Sequence, residues 1–209
     1  NDNSLTIFRD IPGVILAVPS NGPDAVKMLR TSVKEAYKNG RVIVFIEPIA
    51  LYMTRDLYKE KDGKWLFSYP ELDSQISLGE FSVYGNSEHL AIITYGNGLY
   101  LSLQAKKEIE MKLKKEIKVI DLRWLSPINY KKLAESLKQC KNILIVDECR
   151  KTGCHGEGIL VELLNIVEGK PKIRLHAAED SFIPLGAAAT STLPSKNSII
   201  EKSIELINE

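Results

Sequence analysis

The chain has 209 residues, 44% of them hydrophobic and 26% charged, with a formal net charge of +1. These are ordinary values for a soluble globular protein, and the scattered Lys and Arg predict no electrostatic surface for nucleic acid. The longest apolar runs, such as Val42–Ile46, fall far short of the about 20 residues of a membrane span.

The length allows one large domain, or one complete domain plus part of another. No basic-then-apolar leader opens the sequence as given. The 3 cysteines, Cys140, Cys149 and Cys154, form no CxxC pair. That usage fits a reducing compartment, and the expected location is cytoplasmic.

In chain order, Val14–Val18 is a continuous apolar run of strand length, and Pro19–Pro23 is a turn cluster. A helix is predicted to start near Asp24, because Ala25, Met28, Leu29, Ser32, Val33 and Ala36 recur at helical spacing. Asn39-Gly40 ends it, since Gly accepts the left-handed conformation cheaply. Val42–Ile46 is a second strand of buried type. Strand, helix and strand in succession predict a βαβ unit with parallel strands. Residues 56–79 are charged and aromatic around an exposed turn at Lys61–Lys64, and are expected to be a linker or long loop. This places the preferred boundary between a unit at 1–55 and one at 80–209.

The rhythm returns at Glu80. Phe81–Tyr84 alternates as a half-exposed strand, and Leu90–Tyr95 is a buried one. Gly96-Asn97-Gly98 turns into a helix reaching about Lys115. Ile117–Leu122 is a strand, and Ser126-Pro127 is expected to open a helix, with Pro in its permitted first turn. Ile143–Asp147 is a strand, Gly153–Gly158 a glycine-rich turn, and a helix carries Ile159, Leu160, Leu163, Leu164 and Val167. Lys172–His176 is the last strand. Ile199, Ile200, Ile204 and Ile207 stripe a terminal helix that begins at Ser195. The alternation predicts an α/β fold with a largely parallel sheet covered on both faces.

Few strings could carry chemistry. Gly96-Asn97-Gly98 is a possible phosphate cradle, but position 101 is Leu, so GxGxxG is incomplete and a tight strand-to-helix turn is favoured. A phosphate site there would need a partner domain to complete it. Gly153-Cys-His-Gly-Glu-Gly158 lies where α/β sheets usually bind ligands, and His155 could act as acid or base. The plainer reading is a glycine-lined turn packed against another chain. Cys149, Cys154 and His155 do not have structural zinc spacing, and Cys140 lies on a separate element. Asp147-Glu148 and Glu47-Pro48 end strands without a second carboxylate near in sequence. Ser20, Ser126 and Ser195 lack a GxSxG context, and Ser126 and Ser195 are expected to be helix caps.

Taken in order, Ile11-Pro-Gly-Val14, Val18-Pro-Ser20, Asp24-Ala25, Leu29-Arg30 and Phe45-Ile-Glu-Pro48 form a series. It continues with Thr94-Tyr-Gly96, Val119-Ile-Asp-Leu-Arg123, Leu125-Ser-Pro127, Val146-Asp-Glu148, Arg150, Thr152-Gly153, Glu157 and Phe182-Ile-Pro184. The series resembles the beta-type chain of thiamine-diphosphate-dependent 2-oxo acid dehydrogenases, the decarboxylating component of pyruvate dehydrogenase being one. It is similar, more distantly, to transketolase.

The resemblance implies that residues 1–55 end a pyrimidine-binding domain. It implies that 80–209 form a transketolase-type C-terminal domain, a three-layer α/β/α fold whose five-stranded mixed sheet has an antiparallel first strand. The family's catalytic Glu is expected upstream of Ile11, and its GDG-plus-Asn motif for metal and diphosphate is not matched by Lys61-Asp-Gly63. No catalytic residue is therefore assigned within this sequence. Where the family has Gly-Gly, this chain has Gly153-Cys154 with His155 beside it. Glu148, His155 and Glu157 are the candidate cleft or interface residues. For the intact enzyme the resemblance implies thiamine diphosphate and Mg²⁺, with loss of carbon dioxide from a 2-oxo acid such as pyruvate and acyl transfer to a lipoyl arm. None of this cofactor is expected on this chain alone, which is expected to be inactive by itself. The implied partners are a diphosphate-binding domain or alpha chain, a second copy in a dimer, and the lipoyl acyltransferase core, with no nucleic acid and no membrane. Two other readings are part of a transketolase or deoxyxylulose phosphate synthase, and a non-catalytic assembly module. Phe45–Pro48 and Asp121–Arg123 favour the oxo acid branch.

Overall fold

The computed structural model describes residues 4–209. A 3-10 turn at Leu5–Asp10 leads to β1 (Ile15–Ala17), α1 (Gly22–Asn39) and β2 (Ile43–Phe45). Asn21, three residues before Asp24, starts α1: its side chain accepts from the Asp24 amide, and Pro23 occupies the first turn. Gly40 closes the helix in the left-handed conformation, as its position in the sequence leads one to expect. β1 and β2 pair in parallel, as a βαβ unit requires.

Residues 52–81 contain no strand and no α-helix. They are nonetheless firmly held. The Asp62 carboxylate accepts from the amides of Leu57, Tyr58, Lys59 and Lys64, and Asp56 accepts from those of Lys61 and Gly63. Trp65 is buried and meets Tyr100 edge-on at 5.1 Å. Thr31 on α1 donates to the Ile76 carbonyl at 2.7 Å. The loop is mostly exposed, but Leu57, Trp65 and Ile76 anchor it to the cores of both sheets.

The second sheet is built from β3 (Ser82–Tyr84), β4 (Leu90–Thr94), β5 (Lys118–Asp121), β7 (Asn142–Arg150) and β8 (Lys172–Ala178). Their order is β3-β5-β4-β7-β8, and every pairing is parallel except that of β3. Successive side chains of a strand point to opposite faces. Leu90 and Ile92 accordingly join one apolar cluster with α2 (Asn97–Leu113) and α5 (Lys196–Asn208). Ala91 and Ile93 join another with α3 (Tyr130–Leu137) and α4 (His155–Ile166). Both faces are covered, which is why β4 is apolar without alternation. The result is the mixed five-stranded, three-layer α/β/α arrangement that the resemblance implied.

Three local expectations are corrected. Ser126 caps no helix: it ends β6 (Trp124–Ser126), a strand with no apolar run to announce it, and its hydroxyl donates to the Val14 carbonyl at 2.8 Å. Helix α3 begins only at Tyr130, where the Asn129 side chain accepts from the Lys132 amide. Pro127 precedes that cap and is outside the helix. The glycine-rich turn is shorter than Gly153–Gly158, because α4 has begun by His155 and takes Gly156 and Gly158 into its first turns. Ser195 does cap α5, reciprocally with Ser198.

β6 pairs antiparallel with β1, giving a three-stranded sheet ordered β2-β1-β6. The chain thus leaves the five-stranded sheet at Asp121 and enters the three-stranded one at Trp124. Trp124 is fully buried there, with Ile15, Ala17, Met28 and Ile76.

Candidate functional site

The carboxyl ends of strands from both sheets converge. Gly96, just past β4, has φ +55°, and a Cβ there would lie 3.2 Å from Val18 Cγ1 and 3.4 Å from Pro48 Cγ. The end of β4 therefore abuts the segments that follow β1 and β2. Next to it, Asn97 Nδ2 donates to Glu148 Oε1 at 2.7 Å, joining the start of α2 to the end of β7. Burial raises the Glu148 carboxyl, and the Asn97 bond opposes that rise.

Asp147 has a structural role. Its carboxylate accepts from the Tyr95 hydroxyl at 2.5 Å, the Cys149 amide at 2.8 Å and the Gly156 amide at 2.7 Å. It pins β7 to the first turn of α4. Burial pushes the Cys149 and Cys154 thiols up to about 12, and the Asp147 charge adds to it. Protonated thiols are poor nucleophiles and poor ligands. Among the described residues no three His, Cys, Asp or Glu side chains gather as a metal site.

His155 is buried at the start of α4, and its Nδ1 has no hydrogen-bond partner among the described residues. Burial lowers its pKa, Arg9 lowers it further, and Asp147 acts in the other direction. Glu157 accepts from the Gly153 amide at 2.8 Å and closes the turn locally. Arg9 donates to the carbonyls of Gly153 (3.2 Å) and Cys154 (2.9 Å). A Cβ at Gly158 would lie 2.7 Å from the Arg9 guanidinium. The turn therefore packs against the chain's own N-terminal 3-10 segment. The structure places His155 and Glu157 in the first turn of α4, and Glu148 on the Asn97 contact.

The phosphate-cradle reading of Gly96–Gly98 is closed by packing. A Cβ at Gly98 would lie 2.1 Å from Thr94 Oγ1, so this glycine lets α2 approach β4. Gly96 is occluded by Val18 and Pro48. With no ligand cluster for a divalent ion and no open glycine cradle, the described residues do not fit thiamine diphosphate with Mg²⁺.

Sequence reasoning overlooked a buried polar cluster between the sheets. The Ser20 hydroxyl donates to Asp121 Oδ1 at 2.8 Å, and Arg123 binds Asp24 through Nε and Nη2 at 2.8 and 2.9 Å. Asp121 is fully buried, and its Oδ2 has no partner among the described residues. Burial raises its carboxyl to about 7 against the pull of Ser20 and Arg123. Burial, with the Asp121 charge, pushes the Tyr84 hydroxyl up to about 12. The available signal was a strand ending in Asp-Leu-Arg, polar residues where a core strand has no use for them.

A cleft of about 480 Å³ opens beside this cluster, at the carboxyl ends of β1 and β2. Its walls are the start of α1, the segment after β2 and the aromatic stretch 65–70. Among the described residues, Glu47 is its only charged lining residue.

Comparison with known proteins places this geometry. Residues 79–199 match the family model described as transketolase, C-terminal domain. The chain is 29% identical over 208 residues to the pyruvate dehydrogenase E1 component subunit beta of Staphylococcus aureus, covering 99% of this chain and 59% of that protein. It is 28% identical over 204 residues to the Staphylococcus epidermidis protein of the same name, covering 97% and 58%. It thus spans about three fifths of the length of these curated relatives. A solved structure described as "Split gene transketolase, inactive beta4 tetramer" matches with a TM-score of 0.71 at 20% identity, over 98% of this chain and 60% of that one, and shares its fold. With its mixed five-stranded sheet and a family match across more than half its length, the chain belongs to the transketolase C-terminal domain family.

Proposed function

We propose that the chain is part of the decarboxylating component of a thiamine-diphosphate-dependent 2-oxo acid dehydrogenase, an oxidoreductase acting in a cytoplasmic multienzyme complex. The observation that carries this is the 29% identity to a pyruvate dehydrogenase E1 beta subunit along 99% of the chain. That match extends over the three-stranded sheet as well as the family segment at 79–199. Residues 1–55 then serve as the end of a pyrimidine-binding domain, 56–79 as a connecting loop and 80–209 as the C-terminal domain.

In this reading thiamine diphosphate and Mg²⁺ are held by other parts of the enzyme. The cofactor supplies the electron sink for decarboxylation. This chain supplies a cleft wall, the contact surface to a diphosphate-binding domain or alpha chain, dimer contacts and a docking face for the lipoyl acyltransferase. Asn97-Glu148 stands at the strand ends as the contact-forming pair, and His155 with Glu157 shapes the turn beside it.

The test is reconstitution. The chain is assayed with Mg²⁺ and thiamine diphosphate, alone and with a complementary alpha-type chain, on pyruvate, branched 2-oxo acids and xylulose 5-phosphate. The expected result is no turnover alone and 2-oxo acid decarboxylation on complementation. Robust turnover by the chain alone would show that it holds its own catalytic parts. Turnover confined to the sugar phosphate would assign it to the transketolase branch. Capture by the subunit-binding domain of an acyltransferase, with light scattering for the dimer, tests the partners.

A further inference from the structure

The cleft beside α1 has a chemical character of its own. Tyr52, Trp65, Phe67 and Tyr69 line it, together with Pro19 and Pro48, and Glu47 is the one charged side chain among its described lining residues. The Tyr52 hydroxyl donates to Glu47 Oε2 and orients the carboxylate at the end of β2. No cation pairs with Glu47 among the described residues. The neighbouring helix start offers little to an anion: Asn21 takes the Asp24 amide, Pro23 brings none, and the Ala25 amide is bonded to the Asn21 carbonyl. The Arg30 guanidinium already lies over the Tyr69 ring at 5.8 Å from its centroid, so the cleft itself favours a protein cation on an aromatic face. Aromatic faces are negative, and the Tyr52, Trp65 and Phe67 rings with the Glu47 carboxylate favour a further cation that also has an apolar body.

We propose that this cleft is a binding site for an organic cation, an alkyl- or arylammonium group, with Glu47 as its counter-ion and the aromatic side chains as its walls. The inference concerns binding alone and does not depend on which reaction the assembled enzyme performs. Anions are disfavoured twice, by the carboxylate and by the ring faces. An uncharged ligand of the same size keeps the apolar contact and loses the ionic one.

The experiment is calorimetric titration of the full chain with phenethylammonium, 2-phenylethanol and 3-phenylpropionate, which share a body and differ in charge. The cation is expected to bind at least ~10-fold more tightly than the alcohol, and the carboxylate to give no saturable signal. Glu47→Gln, on an exposed side chain, is expected to keep the melting temperature and to bring the cation down to the affinity of the alcohol. Tyr52→Phe, which frees the carboxylate from its orienting bond, is expected to weaken the preference partially. Equal binding of cation and alcohol overturns the proposal. So does a preference that survives Glu47→Gln, binding of 3-phenylpropionate as tight as that of the cation, or no saturable binding of the cation up to millimolar concentration.

Discussion

Asp121 shows how burial sets the behaviour of a single residue. Its carboxyl is raised from an ordinary 3.8 to about 7, first by desolvation. The native state therefore binds its proton more tightly than the unfolded chain does. Stability from this group is fully present below the unfolded value near 4, and is lost as pH rises through about 7. The whole window is worth on the order of 4 kcal/mol. Denaturant melts between pH 4 and pH 8 should show stability falling over that range. Asp121→Asn keeps an acceptor for Ser20 and should flatten the fall, and an unchanged profile would disprove this assignment of the proton. The glycines separate two kinds of close approach. Gly98→Ala drives a methyl to 2.1 Å from the short, fixed Thr94 side chain, and should cost ~1–3 kcal/mol. Thr94→Ala should rescue it, because the Thr94 hydroxyl has no hydrogen-bond partner to lose among the described residues. Gly158→Ala meets only the flexible end of Arg9 and should cost less than ~1 kcal/mol in the same melts. The existence of both glycines was visible in the sequence. Their purpose was not, because a glycine that admits phosphate and one that admits a neighbouring side chain look alike until the neighbour is placed.

At the scale of elements, long apolar runs were legible and short polar-flanked ones were not. β4 and β7 could be found because both faces of their sheet are buried, so Leu90–Ile93 and Ile143–Val146 are apolar without a break. β6 could not, because three residues beginning at Trp124 carry no period, and the strand exists through its pairing with β1. The same neighbourhood misplaced the start of α3. Ser-Pro is a common helix opening, yet the Ser126 hydroxyl is committed to Val14 across the sheet. Asn129→Ala should therefore cost ~1 kcal/mol by removing the α3 cap, with faster amide exchange confined to the first turn of that helix. Ser126→Ala should leave α3 exchange unchanged and speed it at β1 and β6. If Ser126→Ala instead frays α3, the cap belongs to Ser126 after all. The glycine-rich turn carries the same lesson: α4 could start at His155 because the Asp147 carboxylate, distant in the turn's own sequence, takes the Gly156 amide.

Across the whole molecule, the two sheets are joined by a two-residue crossing between β5 and β6, and that crossing carries the buried Ser20–Asp121 and Arg123–Asp24 contacts. The Val18 amide bonds to the Arg123 carbonyl at 2.7 Å, so the backbones of the two sheets also meet there. Arg123 has φ +61°, a conformation that an L residue holds only when its surroundings determine it. What determines it is Asp24, which receives the guanidinium through two bonds, with the side chains 13% and 5% exposed. A nearly buried pair contributes little net stability, but removing one partner strands a charge and costs about 3–5 kcal/mol. Arg123→Met and Asp24→Asn should each destabilise the protein by that order. The double variant should be less destabilised than the two losses added together, because neither charge is then left alone. The location of the loss matters as much as its size. If this pair couples the sheets, urea melts of either single variant should separate into two transitions, with amides of β1, β2 and α1 exchanging ahead of those of β4 and β7. A single cooperative transition in both variants, shifted but not split, would mean that the packed loop around Trp65 and the pairing of β1 with β6 suffice to hold the sheets together.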